Sequence, residues 1–181
     1  RIREIAKISN RTTPSTDEAE YWENGSIPWL ATGSVHDKFI QNPTRHITEQ
    51  AVIQKKSKIF PKGSTLVAMI GQGKTRGQTS ILKIKAGTNQ NVGGIVIFHN
   101  YLISEYLWHY FLGRYEKTRS NAVGGNQPAI NGTKLKMSVF PLPPLEEQKA
   151  IVAKVNALMG LCDRLEQEVQ QSQEQSELLM Q

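Results

Sequence analysis

The chain has 181 residues, 38% of them apolar, which suits one domain of about 100–200 residues with an appendage. No stretch approaches the ~18 consecutive apolar residues of a membrane span, so no membrane-spanning helix is expected. The first residues show no signal-peptide pattern and Cys162 has no second cysteine to pair with, and both observations favour a cytoplasmic location.

The charge is divided unevenly along the chain. The 22 Lys and Arg outnumber the 16 Asp and Glu, which gives a net charge of +6. Residues 145–181 hold seven acidic and three basic side chains, a net charge of −4, which leaves +10 for residues 1–144. A strongly basic domain is typical of proteins that bind a polyanion, of which DNA and RNA are the commonest.

Short strands and helices are predicted along residues 1–140 without regular β-α-β alternation. This mixture favours an α+β fold with a mixed sheet over a doubly wound parallel sheet. Thr48 is a candidate N-cap for a short helix, and Gly93 and Gly94 are expected to precede a strand. The predicted strands are residues 29–32, 65–70, 79–85, 95–98 and 135–140, and the predicted helices are residues 48–55 and 103–118.

Residues 71–75 read Gly-Gln-Gly-Lys-Thr and invite comparison with a phosphate-binding P-loop. In that motif the first glycine would stand where Ala68 does. A P-loop also opens a helix whose amides hold the phosphate, whereas residues 79–85 predict a strand. Both departures argue against an ATP-binding loop at this position.

The same segment is better interpreted as a glycine-hinged hairpin tip. It presents five side chains as candidate DNA contacts: Gln72, Lys74, Thr75, Arg76 and Gln78. Arg and Lys can donate to guanine O6 and N7 in the major groove, and Gln can pair with adenine. The alternative is a solvated turn whose charges only keep the protein soluble. The charge of residues 1–144 favours DNA contact.

Other polar and aromatic residues predict structure rather than chemistry. The amides of residues 89–91 and 126–127 could contact bases, but amides between strands more often bond nearby backbone. The four histidines match no metal-ligand spacing, so no metal site is predicted. The three tryptophans are expected in the core. No glycine-rich site for S-adenosylmethionine is evident, so the chain is predicted to be non-catalytic and to hold no cofactor.

The prolines at residues 141–144 predict extended backbone, and the domain boundary is placed there, with residues 1–143 globular and 144–181 a long helix. Apolar positions of the helix recur at alternating intervals of four and three residues, the period of a coiled coil. At 1.5 Å per residue the helix is about 55 Å long, too long for its own domain to bury, so a partner helix is predicted. This apolar seam consists of Ile151, Val155, Leu158, Cys162, Leu165 and Val169, and Ser172 and Ser176 continue its phase.

Residues 141–155 and 161–166 resemble the conserved helical region of the specificity subunits of type I restriction-modification systems. Shorter upstream segments match the same family in the same order: residues 27–29, 47–49, 60–63, 88–90 and 124–128. The resemblance covers nearly the whole chain and implies a domain that recognises a double-stranded DNA target. A full subunit of this family has two such domains and two such helices, so the chain resembles half a subunit.

The resemblance also implies partners and cofactors. Methyltransferase (modification) subunits that bind S-adenosylmethionine would dock on the helix, and a translocase/restriction subunit would use ATP and Mg²⁺. A half-subunit is expected to form a homodimer through antiparallel helices. Two rivals stay open: a detached recognition domain of a single-chain adenine methyltransferase, and a coiled-coil adaptor with a basic RNA- or protein-binding head. The long helix disfavours the first rival.

Overall fold

The computed structural model describes residues 1–10, 12–54, 57, 59–71, 74–120 and 129–179. The chain forms two compact units, Arg1–Leu142 and Pro143–Gln181. Within the described residues of the first unit, eight strands form two sheets, accompanied by short helices.

The larger sheet has five strands, in the order β1 (Ala6–Asn10), β8 (Val92–Ile97), β5 (Thr65–Ala68), β6 (Thr79–Leu82) and β3 (Phe39–Ile40). The first four strands pair antiparallel, and β3 pairs parallel with β6. The pairing is therefore mixed, which confirms the α+β class. All four residues of β5 and of β6 are buried, so this strand pair lies in the core of the unit.

The smaller sheet has three strands, in the order β4 (Arg45–Ile47), β2 (Ile27–Leu30) and β7 (Gly87–Thr88). Strand β2 pairs antiparallel with β4 and parallel with β7. The predicted strand at residues 29–32 is thus shifted, and its last residue begins a 3₁₀ turn, Thr32–Ser34. Helix α2 (Glu49–Gln54) follows β4 and confirms the predicted helix. The Thr48 hydroxyl accepts from the Ala51 N–H at 3.3 Å, so Thr48 is its N-cap as predicted.

Two buried clusters support the sheets. One surrounds Phe60 and joins residues of both sheets: Leu30, Val35, Ile40, Leu66, Ala68, Leu82, Ala86 and Val92. The other contains Tyr21, Trp29, Ile47 and Ala51. Trp29 is almost fully buried, as predicted, and the Trp22 and Trp29 rings meet edge to face at 5.8 Å.

Strand β8 begins earlier than predicted and contains both glycines that were expected to precede it. A Cβ atom on Gly94 would overlap the Phe60 ring, so the absence of a side chain lets that ring pack directly on the strand. Because glycine is common in turns, the strand was predicted to begin after Gly94. The close packing of Phe60 on Gly94 places this glycine inside the strand instead.

Two further predictions, one of a helix and one of a strand, were wrong. The predicted helix at residues 103–118 is divided at Arg114 into α3 (Ser104–Gly113) and α4 (Tyr115–Ser120). The predicted strand at residues 135–140 is instead helix α5 (Gly132–Met137) followed by extended chain. The Asn131 side-chain oxygen accepts from the N–H groups of Thr133 (2.8 Å) and Lys134 (3.2 Å), which are the bonds of an N-cap. The helix α1 (Ile2–Ile5) opens the chain.

The second unit consists of an extended start and the helix α6 (Leu145–Leu179), 35 residues long. The Gln148 side chain donates to the Pro143 carbonyl at 2.9 Å, and the Gln148 N–H donates to the Pro144 carbonyl at 3.1 Å. These bonds fix the first turn of the helix on the proline-rich segment. Glu146 and Glu147 lie in that turn, where carboxylates suit the positive end of the helix dipole.

Candidate nucleic-acid interface

The 71–78 loop connects β5 and β6, which pair antiparallel, so it is a hairpin connection as predicted. At its base the Gly77 N–H donates to the Ala68 carbonyl at 2.8 Å, and the Ala68 N–H donates to the Gln78 carbonyl at 2.9 Å. Gly77 has φ +91°, a left-handed conformation that residues with a side chain adopt only at a cost. Residues 79–82 form strand β6, as predicted, whereas a P-loop is followed by a helix.

Helix α4 holds the loop through two side chains that sequence reasoning did not single out. The Tyr115 hydroxyl donates to the Lys74 carbonyl, and Arg119 Nη1 donates to the Arg76 carbonyl at 2.6 Å. A Cβ atom on Gly77 would lie 3.0 Å from Arg119 Cγ, so these groups are in close contact. Nothing in the sequence pairs α4 with the loop, because more than 35 residues separate them.

The predicted DNA contacts differ in exposure. Lys74 is exposed, whereas Thr75, Arg76 and Gln78 are half-buried, and Gln72 lies outside the described residues. A cleft of about 240 Å³ beside the loop is lined by Lys74, Gln78 and the rings of Trp108 and Tyr115, among others. The Trp108 indole N–H donates to the Thr79 carbonyl at 2.9 Å, so this ring is fixed against β6.

Positive charge is concentrated in the part of the chain that carries the loop. Residues 62–138 contain ten Lys and Arg and two Glu, a net charge of +8. Residues 12–54 contain two basic and six acidic side chains, a net charge of −4. The loop, α4 and α5 all belong to this basic segment, and such a composition favours a polyanionic partner.

Asn89 and Gln90 hold neighbouring chain segments, as predicted for scaffold residues. The Asn89 side-chain oxygen accepts from the Thr32 hydroxyl at 3.0 Å and from the Asn91 N–H at 3.1 Å. The Gln90 side chain is hydrogen-bonded to the Thr13 hydroxyl. Residues 126–127 lie outside the described residues.

Neither a metal centre nor a membrane span is found in the described part of the chain. No three His, Cys, Asp or Glu side chains there come close enough together to hold a metal ion. Among the same residues, no helix combines the length and the apolar character needed to cross a membrane.

The seam of α6 is progressively more exposed along the helix. Ile151 and Val155 are half-buried. Leu158, Leu165 and Val169 are each at least 50% exposed, and Cys162 is exposed too. Large apolar side chains repeated at coiled-coil spacing form a surface suited to a second helix.

Comparison with known proteins identifies relatives of this chain. A model of the type I restriction modification DNA specificity domain matches residues 1–175. The chain is 31% identical over 186 residues to the type I restriction enzyme MjaIX specificity subunit of Methanocaldococcus jannaschii. The aligned region covers 99% of the chain and 40% of that protein. It is also 29% identical over 156 residues to a type I restriction enzyme specificity subunit of Escherichia coli. This alignment covers 83% of the chain and 38% of that protein.

Solved structures share the fold. The HsdS subunit from Thermoanaerobacter tengcongensis has a TM-score of 0.66 and 20% identity, over 92% of this chain and 38% of that one. A chain from a study of complex assembly in the type I R-M system has a TM-score of 0.68 and 21% identity, over 91% of this chain and 38% of that one. The chain thus spans 38–40% of the length of the relatives cited. Because the family model matches nearly all of its residues, the chain belongs to the type I restriction-modification DNA specificity domain family.

Proposed function

We propose that this chain recognises a specific sequence in double-stranded DNA, as the target-recognition part of a type I restriction-modification specificity subunit. The observation that carries the proposal is the anchored 71–78 loop, which presents the exposed Lys74 within a segment of net charge +8. Hydrogen bonds hold the carbonyls of Lys74 and Arg76, so the side chains at these two positions can contact DNA with little ordering cost.

In this proposal the chain directs chemistry that partner subunits perform in the cytoplasm. The specificity subunits named among its relatives belong to type I restriction enzymes. Methyltransferase subunits would supply the S-adenosylmethionine site, and a translocase/restriction subunit would supply the ATP and Mg²⁺ sites. The single cysteine of the chain suits the reducing cytoplasm.

We further propose that α6 pairs with the α6 helix of a second copy in antiparallel orientation. The seam offers Leu158, Leu165 and Val169 at coiled-coil spacing, all exposed in one copy of the chain. Two copies would together provide two recognition domains, the number expected of a full subunit. A two-fold related pair would place identical domains on an interrupted palindromic target.

The test of DNA recognition is selection from a duplex library with a randomised segment, using the full chain alone and with candidate methyltransferase subunits. Enrichment of one short sequence, and an affinity for it well above that for scrambled duplex at fixed salt, is the expected result. Equal binding of all duplexes, or preferential binding of RNA of the same sequence, would contradict the proposal and favour the adaptor alternative.

A further inference from the structure

A second group of cations surrounds a cleft between α4 and α5, apart from the 71–78 loop. Arg114, Lys117 and Lys134 line this cleft, together with the polar side chains of Thr118 and Asn131. Its apolar floor includes Phe111, Ile130 and Leu135, all buried.

Charge compensation inside the cleft is lacking. No Asp or Glu lines it, and none of the three cations takes part in an ion pair within the described ranges of the chain. The Arg114 guanidinium lies 5.2 Å from the centre of the Tyr110 ring. Burial raises the pKa of the Tyr110 hydroxyl, so the ring beside Arg114 is neutral at physiological pH and leaves the positive charge uncancelled.

The cleft is large enough for a phosphate group. Its volume is about 90 Å³, and each bound water needs only about 10–15 Å³ of such space. A phosphate offers oxygens to several donors at once, and Arg and Lys bind it through charge-assisted hydrogen bonds.

Both walls of the cleft are connected to the 71–78 loop. Helix α4 carries Lys117 into the cleft, and it also carries Tyr115 and Arg119, which donate to the loop backbone. On the other side, the Ile130 N–H donates at 2.8 Å to the carbonyl of Met69, the residue that follows β5. The loop and the cleft are therefore both attached to α4 and to the end of β5.

We propose that the cleft lined by Arg114, Lys117 and Lys134 binds a backbone phosphate of the DNA duplex next to the bases approached by the 71–78 loop. This inference rests on the proposed function. A phosphate contact carries no sequence information and fixes the position of the protein on the duplex. The cleft then strengthens binding to every duplex, while the loop distinguishes among them.

The test compares two triple variants of the full chain that lose the same charges. The cleft variant carries Arg114→Gln, Lys117→Gln and Lys134→Gln. The control carries Arg3→Gln, Lys7→Gln and Lys62→Gln, three exposed positions of the same residue types. Binding to the selected duplex and to a scrambled duplex is measured at several salt concentrations.

The expected result is a salt slope reduced by about one unit in the cleft variant relative to the control, because each phosphate contact contributes about 0.9 to that slope. Affinity should fall by the same factor for the selected and the scrambled duplex. If the triple variant does not fold, the exposed pair Lys117→Gln and Lys134→Gln is compared with Lys7→Gln and Lys62→Gln instead.

Other results would overturn the inference. If the salt slopes of the cleft variant and the control are equal while the wild-type chain binds DNA sequence-selectively, the cleft does not bind a DNA phosphate. The proposed function would still stand. A wild-type chain that binds no duplex would overturn both. Calorimetry with inorganic phosphate separates the sources: phosphate that binds wild type but not the cleft variant, with unchanged duplex slopes, would assign the cleft to a free anion.

Discussion

Lys74 and Arg76 are the two cations of the 71–78 loop, and replacing both with Ala tests whether that loop contacts DNA. If either side chain contacts a guanine, binding to the selected duplex should weaken by ~1–3 kcal/mol and sequence choice should relax. If the contact is to a phosphate, the salt slope should fall by about one unit. Fluorescence anisotropy with labelled duplex measures both quantities.

Lys62→Ala with Lys85→Ala is the control, because it also removes two positive charges from the same basic segment, at exposed positions outside the loop. If affinity and salt slope fall no further in the Lys74 and Arg76 variant than in this control, the loop does not contact DNA and is a solvated turn.

Gly77 provides a test of the loop anchor that is independent of DNA. Its φ is +91°, and a Cβ atom would lie 3.0 Å from Arg119 Cγ. Gly77→Ala should therefore lower the free energy of unfolding by about 1–2 kcal/mol. Gly113→Ala, at a helical glycine with open space around its Cβ position, should instead raise it by about 0.5–1 kcal/mol.

Urea unfolding of the two variants gives the comparison directly. Opposite signs for the same substitution would show that the left-handed conformation and the close contact with Arg119 together determine the cost at Gly77. A neutral or stabilising Gly77→Ala change would contradict the left-handed conformation of the loop.

The individual elements show what the sequence could and could not predict. The β5–β6 hairpin and the long helix were predictable, because both depend on local patterns: glycines between two apolar runs, and a regular apolar repeat. The start of β8 was not, because it depends on Phe60 packing against Gly94, more than 30 residues away. Helix α5 was missed although Asn131 is a common N-capping residue, since six residues are too short to show a clear period.

The candidate site was likewise predictable only in part. The hairpin connection was predictable from turn chemistry, because glycines between two apolar runs are local to residues 71–78, and DNA contact by its side chains stays a prediction. The anchor was not, since Tyr115 and Arg119 act through backbone acceptors that leave no trace in the sequence of the loop. The cleft between α4 and α5 combines cations from two helices whose proximity only the fold establishes.

At the scale of α6, replacing Leu158 and Leu165 with Glu should abolish the proposed dimer. Each change would bury a carboxylate without a partner in the seam, at a cost of several kcal/mol. Gln167→Glu with Gln170→Glu adds the same two charges to the same helix outside the seam and should leave the dimer intact.

Sedimentation equilibrium at tens of micromolar measures the association, and circular dichroism verifies that the helix is retained. A monomeric wild-type chain with the helix intact would contradict the dimer. A parallel dimer, detected by cross-linking of labelled helix ends, would contradict only its antiparallel geometry.

For the molecule as a whole, we expect no chemistry from the isolated chain. Incubation with duplex DNA and labelled S-adenosylmethionine should transfer no methyl groups, and added ATP should not be hydrolysed. Methyl transfer should appear when matching methyltransferase subunits are supplied. Transfer by the chain alone, after removal of any co-purified enzyme, would contradict its assignment as a recognition component and favour the single-chain methyltransferase alternative.

The symmetry of the proposed dimer has a consequence for its target. Two identical domains related by a two-fold axis should select two inverted copies of one half-site, separated by a fixed spacer. Selection from the randomised library should therefore return an interrupted palindrome. Enrichment of a single isolated half-site, or of half-sites at variable spacing, would contradict the two-fold dimer.

Both anchors of the 71–78 loop end on backbone carbonyls, those of Lys74 and Arg76. Every amino acid has that carbonyl, so the side chains at these two positions are interchangeable as far as the anchor is concerned. The position of the loop is thereby separated from its chemistry. If the loop contacts DNA as proposed, a lineage carrying this domain could change its target by exchanging loop side chains while the hairpin and α4 remain as they are.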